Sequence, residues 1–234
     1  MIDSLSLELN SGQLYCLLGK NGAGKTTFLK IILDILSFES GSVDIFGSPC
    51  NELNKKQKER IGAMIDGSFL LEELTGNQYL NFIGRIYNIE KQQLLHRIKD
   101  LTNFFFDDEA QMNKSISTYS TGMRKKIEFC AAVINKPEIL ILDEPFSGLD
   151  PIAADRLVSF LKSYATEQRL ILLSSHDLSF VQKLATHIGV LEDSKLLFNS
   201  TLTDFTLNGE TQIDSALLEI LSTKSVSVHS FDWI

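Results

Sequence analysis

The chain has 234 residues, 44% of them hydrophobic and 22% charged, a globular composition long enough for one large domain or a domain with an insertion. Its formal net charge of −8 and isoelectric point near 5.0 argue against tight nonspecific binding to nucleic acid, which needs a basic face. Cys16, Cys50 and Cys130 are odd in number, far apart and set among apolar residues, which suggests neither a disulfide framework nor a zinc site and reads as small buried hydrophobes in a reducing cytosol.

Residues 1–10 alternate apolar and polar, with Ile2, Leu5, Leu7 and Leu9 on one side, which predicts a half-buried antiparallel strand. Ser11 and Gly12 turn the chain into Leu14 to Leu18, an apolar run that reads as a buried strand. The stretch GKNGAGKTT, residues 19–27, follows at once and fits GxxxxGK[ST] through Gly19, Gly24, Lys25 and Thr26; TTFLKIILDIL behind it has helical apolar spacing. Strand, glycine loop and helix are the context in which backbone N–H groups turn inward as an anion nest and the helix N-terminus adds its positive end. Asn21, Gly22, Ala23 and Thr27 belong to the same candidate nucleotide-binding set. Lys25 would supply a mobile charge to the β and γ phosphates, and the Thr26 hydroxyl could ligate Mg²⁺. The reading is a nucleoside triphosphate site, against the plainer one of a glycine turn before a helix.

SFESGSVDIFGSP carries two turn signals around a short VDIF strand, and KKQKERIGAMID takes a polar helical piece into an apolar strand ending at Asp66. From Gly67 to Thr118 only helical spacing is found, in ELTGNQYLNFIGRIYNI and KQQLLHRIKDLTNFFF, which predicts a helical insertion over 67–118. TGMRKKIEFCAAVIN is a further helix stopped by Pro137. ILILDEP, residues 139–145, is a continuous apolar run ending in two carboxylates, as a central parallel strand does. There Asp143 could hold Mg²⁺ through water and Glu144 could orient or deprotonate an attacking water, unless the pair is only a solvated strand terminus. Asp150-Pro151 opens a helix, LILLSSH is the next strand, and HIGVLED and KLLFN are two more. From Thr201 the pattern loosens, with IDSALLEILS as a short amphipathic helix. No apolar run approaches the roughly 20 residues that span a bilayer and no signal-peptide pattern opens the chain, so a membrane role would come through a partner. The residues thus predict an α/β core over 1–66 and 119–200, a helical part over 67–118 and a tail over 201–234.

With these motifs in order, nearly the whole chain resembles the ATP-binding subunit of ABC transporters. GKNGAGKTT is similar to that family's Walker A, ILILDE to its Walker B, SGLD (Ser147 to Asp150) to its D-loop, His176 in LLSSH to its switch histidine, and YSTGM (residues 119–123) to its LSGGQ signature. The resemblance implies a P-loop NTPase fold of ABC type: a mainly parallel sheet flanked by helices, a small antiparallel β part and an inserted helical subdomain. It implies ATP and Mg²⁺ as cofactors, with Thr26 and Asp143 as metal-side residues and Glu144 and His176 in catalysis. It also implies a head-to-tail dimer with a second copy or a related ATPase subunit, in which Ser120 and Gly122 face the γ-phosphate bound by the other subunit. Closure on ATP would drive membrane-spanning subunits from the inner, cytoplasmic face of the membrane, where the chain would be peripheral. His176, taken alone, could be a buried structural histidine, but its position after the LILLS strand favours the switch.

The chain departs from the family at three places. Tyr119, Thr121 and Met123 replace the usual Leu, Gly and Gln of the signature, in a form similar to that of drug, lantibiotic or peptide exporters; Ser120 and Gly122 remain. Asp66 stands where the Q-loop glutamine belongs, as a metal-side ligand or as a plain turn aspartate before Gly67. The family's adenine-stacking ring belongs to a strand before the first residue here; either the start of the chain is misassigned or weaker adenine discrimination is expected, and Tyr15 on the entering strand is not its substitute. The other reading is a soluble ABC-type ATPase acting on nucleic acid, ribosomes or cofactor assembly. The acidic balance and the lack of a long coiled-coil insertion weigh against it.

Overall fold

The structure, a computed structural model, describes residues 2–65 and 70–222. The run Leu14–Leu18 (β1) is buried at every position, which places it at the centre of a sheet covered on both faces. Its neighbours are β6 (Leu170–Ser175) on one side and β7 (His187–Glu192) on the other, both parallel to it. Beyond β6 lie β5 (Ile139–Asp143) and β4 (Ile61–Met64), also parallel. β8 (Lys195–Thr201) closes the far edge by pairing antiparallel with β7. The sheet order is therefore β4-β5-β6-β1-β7-β8.

Alternation along β1 assigns its residues to two cores. Leu14, Cys16 and Leu18 belong to the larger one, with Phe129, Leu140, Leu157 and Leu161; Tyr15 and Leu17 point to the other, with Phe28 and Leu29. The second core lies under α1 (Lys25–Ile32). In it the Tyr15 hydroxyl donates to Asn199 at 2.9 Å, and burial raises its pKa.

Of the strand predicted over residues 1–10, the described residues 2–10 form none. Ile2, Leu5, Leu7 and Leu9 do turn inward onto the Tyr15 core while their neighbours stay exposed. The segment joins no ladder, and Asp3 N–H donates to Ser194 O at 3.0 Å. The VDIF strand is shorter than predicted: β2 (Asp44–Ile45) and β3 (Ser48–Pro49) make a two-residue antiparallel pair. α2 (Lys55–Lys58) starts in a capping box of Asn54 and Gln57 and leads into β4. β4 ends at Met64; the predicted end at Asp66 lies outside the described residues.

Between β4 and β5 the described chain is helical. α3 (Gly76–Ile86) opens on a Thr75–Gln78 capping box, α4 (Lys91–Phe105) on Glu90, and α5 (Thr121–Val133) on Ser120. The aromatic face of α4 reaches α5 and α6 (Pro151–Tyr164), where Phe105 meets Phe129 edge to face with centroids 5.3 Å apart and Phe160 meets Phe129 at 5.2 Å. α7 (Leu178–Leu184), α8 (Leu202–Phe205) and α9 (Ile213–Ser222) complete the described residues, α9 on the stretch whose pattern is amphipathic. The three cysteines are free and buried, as read.

Candidate active site at the carboxyl ends of the parallel strands

In an open parallel sheet, ligands gather beyond the carboxyl ends of the strands. Strand register puts the predicted residues at one level there. Leu18 pairs with Ser175, so the loop beginning at Gly19 leaves β1 beside the end of β6; Asp143 pairs with Ser174, so both strands stop together. His176 follows directly on β6.

The loop is shaped by two glycines. A Cβ on Gly19 would lie 2.4 Å from the Leu191 carbonyl oxygen, so only glycine fits against β7. Gly24 is the N-cap of α1 at φ 108°, in the left-handed region that favours glycine. No side chain caps α1. Its first-turn N–H groups, which have no intrahelical acceptors, are left for an anion, with the helix dipole aimed the same way. Asn21 and Gly22 are exposed at the rim, Ala23 is buried beneath them, and Thr27 is half-buried in the first turn.

Lys25 is the charge at the centre. It is 5% exposed, and its Nζ donates to Gly19 O at 2.6 Å and Lys20 O at 3.3 Å. Glu144 Oε1 lies 3.2 Å from the same nitrogen, an ion-pair distance, yet no hydrogen bond is directed at that buried oxygen. The other oxygen, Oε2, is 2.9 Å from His176 Nδ1. Glu144 therefore sits between the loop lysine and the histidine. It does so at φ 46°, a left-handed conformation that is uncommon outside glycine and is held by its surroundings.

The second carboxylate is held from two sides. Thr26 Oγ1 donates to Asp143 Oδ2 at 2.7 Å, and Ser174 Oγ donates to Asp143 Oδ1 at 2.6 Å. Ser174 Oγ also accepts the Glu144 N–H at 2.9 Å. Thr26 and Asp143 form an all-oxygen pair that suits a hard cation such as Mg²⁺. No group of three or more His, Cys, Asp or Glu that could hold a metal occurs among the described residues. A cation at Thr26 and Asp143 would therefore take its other ligands from phosphate and water, as Mg²⁺ commonly does.

Gly19, Lys25, Thr26, Asp143, Glu144 and His176 thus converge, as read from the sequence. Ser120 and Gly122 do not join them: among the described residues no hydrogen bond or ion pair links either to the loop. Ser120 is the exposed N-cap of α5, its Oγ accepting from Met123 N–H at 3.3 Å. Gly122 packs on the turn after β5, where a Cβ would come 2.9 Å from Gly148 O. Asp66, the third candidate metal residue, lies outside the described residues. Ser174 was missed by the sequence reading. Its signal was a small hydroxyl in an apolar strand, and only the β5–β6 register gives that signal meaning.

A protein-family model described as ABC transporter matches residues 2–147, more than half of the chain. The bacitracin transport ATP-binding protein BcrA of Bacillus licheniformis is 32% identical over 197 residues, covering 84% of this chain, and the chain spans 63% of that relative's length. The ABC transporter ATP-binding protein NatA of Bacillus subtilis is 31% identical over 202 residues, 86% of this chain and 82% of its own. Among solved structures, that of an ATP binding subunit of an ABC transporter superposes with a TM-score of 0.85 at 24% identity, over 94% of this chain and 92% of the other. A dimeric post-hydrolysis structure of the ATP-binding cassette MJ0796, bound to ADP and Pi, has a TM-score of 0.76 at 20% identity over 86% and 90%. These two likenesses speak to the fold, which is the α/β ABC-type P-loop fold. With the family model and the two relatives beside the phosphate-loop geometry, the chain belongs to the ABC transporter family.

Proposed function

We propose that this chain is the ATP-hydrolysing cytoplasmic subunit of an exporter, closing as a dimer around ATP and driving separate membrane-spanning subunits. The observation that carries the reading is Glu144, set between Lys25 and His176 beside an oxygen pair suited to Mg²⁺. Phosphoryl transfer to water needs a charge on the phosphates, a metal-side carboxylate and a base near the attacking water. Lys25, Asp143 and Glu144 supply these in turn, with His176 steadying Glu144 and contacting the γ-phosphate. Thr26 and Asp143 would hold Mg²⁺, which when bound neutralises developing charge on the phosphate oxygens.

The separation of Ser120 and Gly122 from the loop supports a site completed by a second subunit. There the free start of α5 would meet the γ-phosphate across the interface. The dimeric MJ0796 cassette is consistent with that arrangement. The partner is a second copy or a related subunit. Export is supported by the signature form and by the likeness to a bacitracin transport protein. No helix of the described residues is long and apolar enough to cross a membrane, which suits a peripheral subunit with a membrane partner. Residues 67–118 would form the helical subdomain that transmits closure. Support comes from a cavity of about 270 Å³ lined by Met64, Tyr79, Ile86, Tyr87 and Glu128, at which Ile86 is exposed.

The test is the fate of Glu144→Gln in the native cell. Recovery with detergent-extracted membranes and a co-purifying multi-span protein is expected. Recovery in the soluble fraction, or with ribosomes or nucleic acid, would instead favour a soluble ABC-type ATPase.

A further inference from the structure

Ser174 is 0% exposed in a strand that otherwise reads LILLS and is flanked by β1 and β5. Burying a hydroxyl there costs free energy unless it is fully hydrogen-bonded, and an alanine would meet the packing need. The hydroxyl is satisfied twice, donating to Asp143 Oδ1 at 2.6 Å and accepting from Glu144 N–H at 2.9 Å. It thereby ties the metal-side carboxylate to the peptide of the residue next to it. Since Thr26 takes the other Asp143 oxygen, the carboxylate plane is fixed with Oδ2 aimed at the phosphate loop. The same serine anchors the Glu144 peptide, whose φ of 46° the chain would otherwise leave.

We propose that Ser174 is a positioning residue for hydrolysis, one hydroxyl that sets Asp143 toward the cation and Glu144 toward the water. It acts through those two groups and touches neither phosphate nor water itself. The inference rests on the proposed roles of Asp143 and Glu144.

Full-length wild type, Ser174→Ala, Ser174→Thr and Ser174→Cys are compared by equilibrium binding of ATP with Mg²⁺ and with EDTA, by steady-state hydrolysis and by thermal unfolding. For Ser174→Ala, affinity in EDTA is expected to stay within about twofold, while the gain from Mg²⁺ shrinks on the order of fivefold or more as the Asp143 oxygen loses its donor. Its kcat is expected to fall on the order of tenfold or more with KM moved far less, because the lost contact positions groups and does not bind nucleotide. Ser174→Thr, which keeps the hydroxyl, should restore both readouts. Ser174→Cys matches the volume closely but donates weakly, so it should behave like Ser174→Ala; this decides the matter even if the alanine variant folds poorly. Unchanged Mg²⁺ gain and kcat in Ser174→Ala, or full function in Ser174→Cys, would overturn the proposal. Wild type that binds ATP without hydrolysing it would count against the catalytic reading, while the Mg²⁺ comparison still decides Ser174.

Discussion

Lys25 and Glu144 set the charge at the centre of the site. The ammonium is nearly out of water, and its neighbours are two carbonyls and one carboxylate oxygen. A phosphate would take over the role of the Glu144 oxygen, freeing that carboxylate for the water. Lys25→Ala removes the charge proposed to meet phosphate and leaves Glu144 without its cation. ATP affinity should therefore drop on the order of tenfold or more, read by equilibrium binding. Glu144→Gln keeps shape and leaves Lys25 its two carbonyls. Binding should survive while turnover falls by about 10² or more, as for loss of a general base; undiminished hydrolysis would remove Glu144 from that role. The lysine, threonine and both carboxylates were legible in the sequence because each follows an apolar strand in a fixed spacing. Ser174 was not, because its partners lie 31 and 30 residues away and only strand register joins them.

Single elements show the same division between local signals and pairing. Asp150-Pro151 was read as a helix start, and Asp150 Oδ1 does accept the Ala153 N–H at 2.9 Å at the head of α6. That hydrogen bond, with Lys126 3.9 Å from the other carboxylate oxygen, holds the Asp150 carboxyl below its ordinary range. Asp150→Ala should cost about 1 kcal/mol in urea unfolding, whereas Asp150→Asn, itself a good cap, should cost only a fraction of that. The pH dependence has a definite sign. A lowered folded pKa means the stabilisation is complete above the unfolded value of 3.8 and is lost as pH falls through the lower folded value. The difference between wild type and Asp150→Asn should accordingly be flat from neutral pH down to about 5 and change only in the acid range. Periodicity misled at residues 1–10. Leu5, Leu7 and Leu9 are half-buried on one side as the pattern demanded, but alternation reports which side is covered and says nothing of a partner strand. Helix α9 fell where it was read, since its hydrogen bonds lie within the segment itself.

At the scale of the whole molecule, two surfaces flank the sheet that no hydrogen bond or ion pair joins directly among the described residues. One is the phosphate loop with Asp143, Glu144 and His176; the other is the start of α5, seated on the turn after β5 through Gly122 and Gly148. Because that turn follows directly on Glu144, whose carbonyl accepts from Ser147 N–H at 3.2 Å, the two surfaces are mechanically joined through a few residues. In the proposed dimer each surface completes the other subunit's site, so their effects should separate experimentally. Glu144→Gln with ATP and Mg²⁺ should run as a dimer in light scattering and as a monomer without nucleotide. Adding Ser120→Arg puts a long cation at an exposed helix start that, among the described residues, has no hydrogen bond or ion pair to the loop. It forfeits a cap worth about 1 kcal/mol, while Lys25, Thr26 and Asp143 keep their geometry. The double variant should bind ATP within about threefold of Glu144→Gln measured below its dimerisation range, and should no longer dimerise, since a bulky side chain there blocks the close approach that a γ-phosphate contact needs. A dimer that persists with Ser120→Arg would show that α5 does not face the partner's nucleotide, and the site would then have to be completed within a single chain.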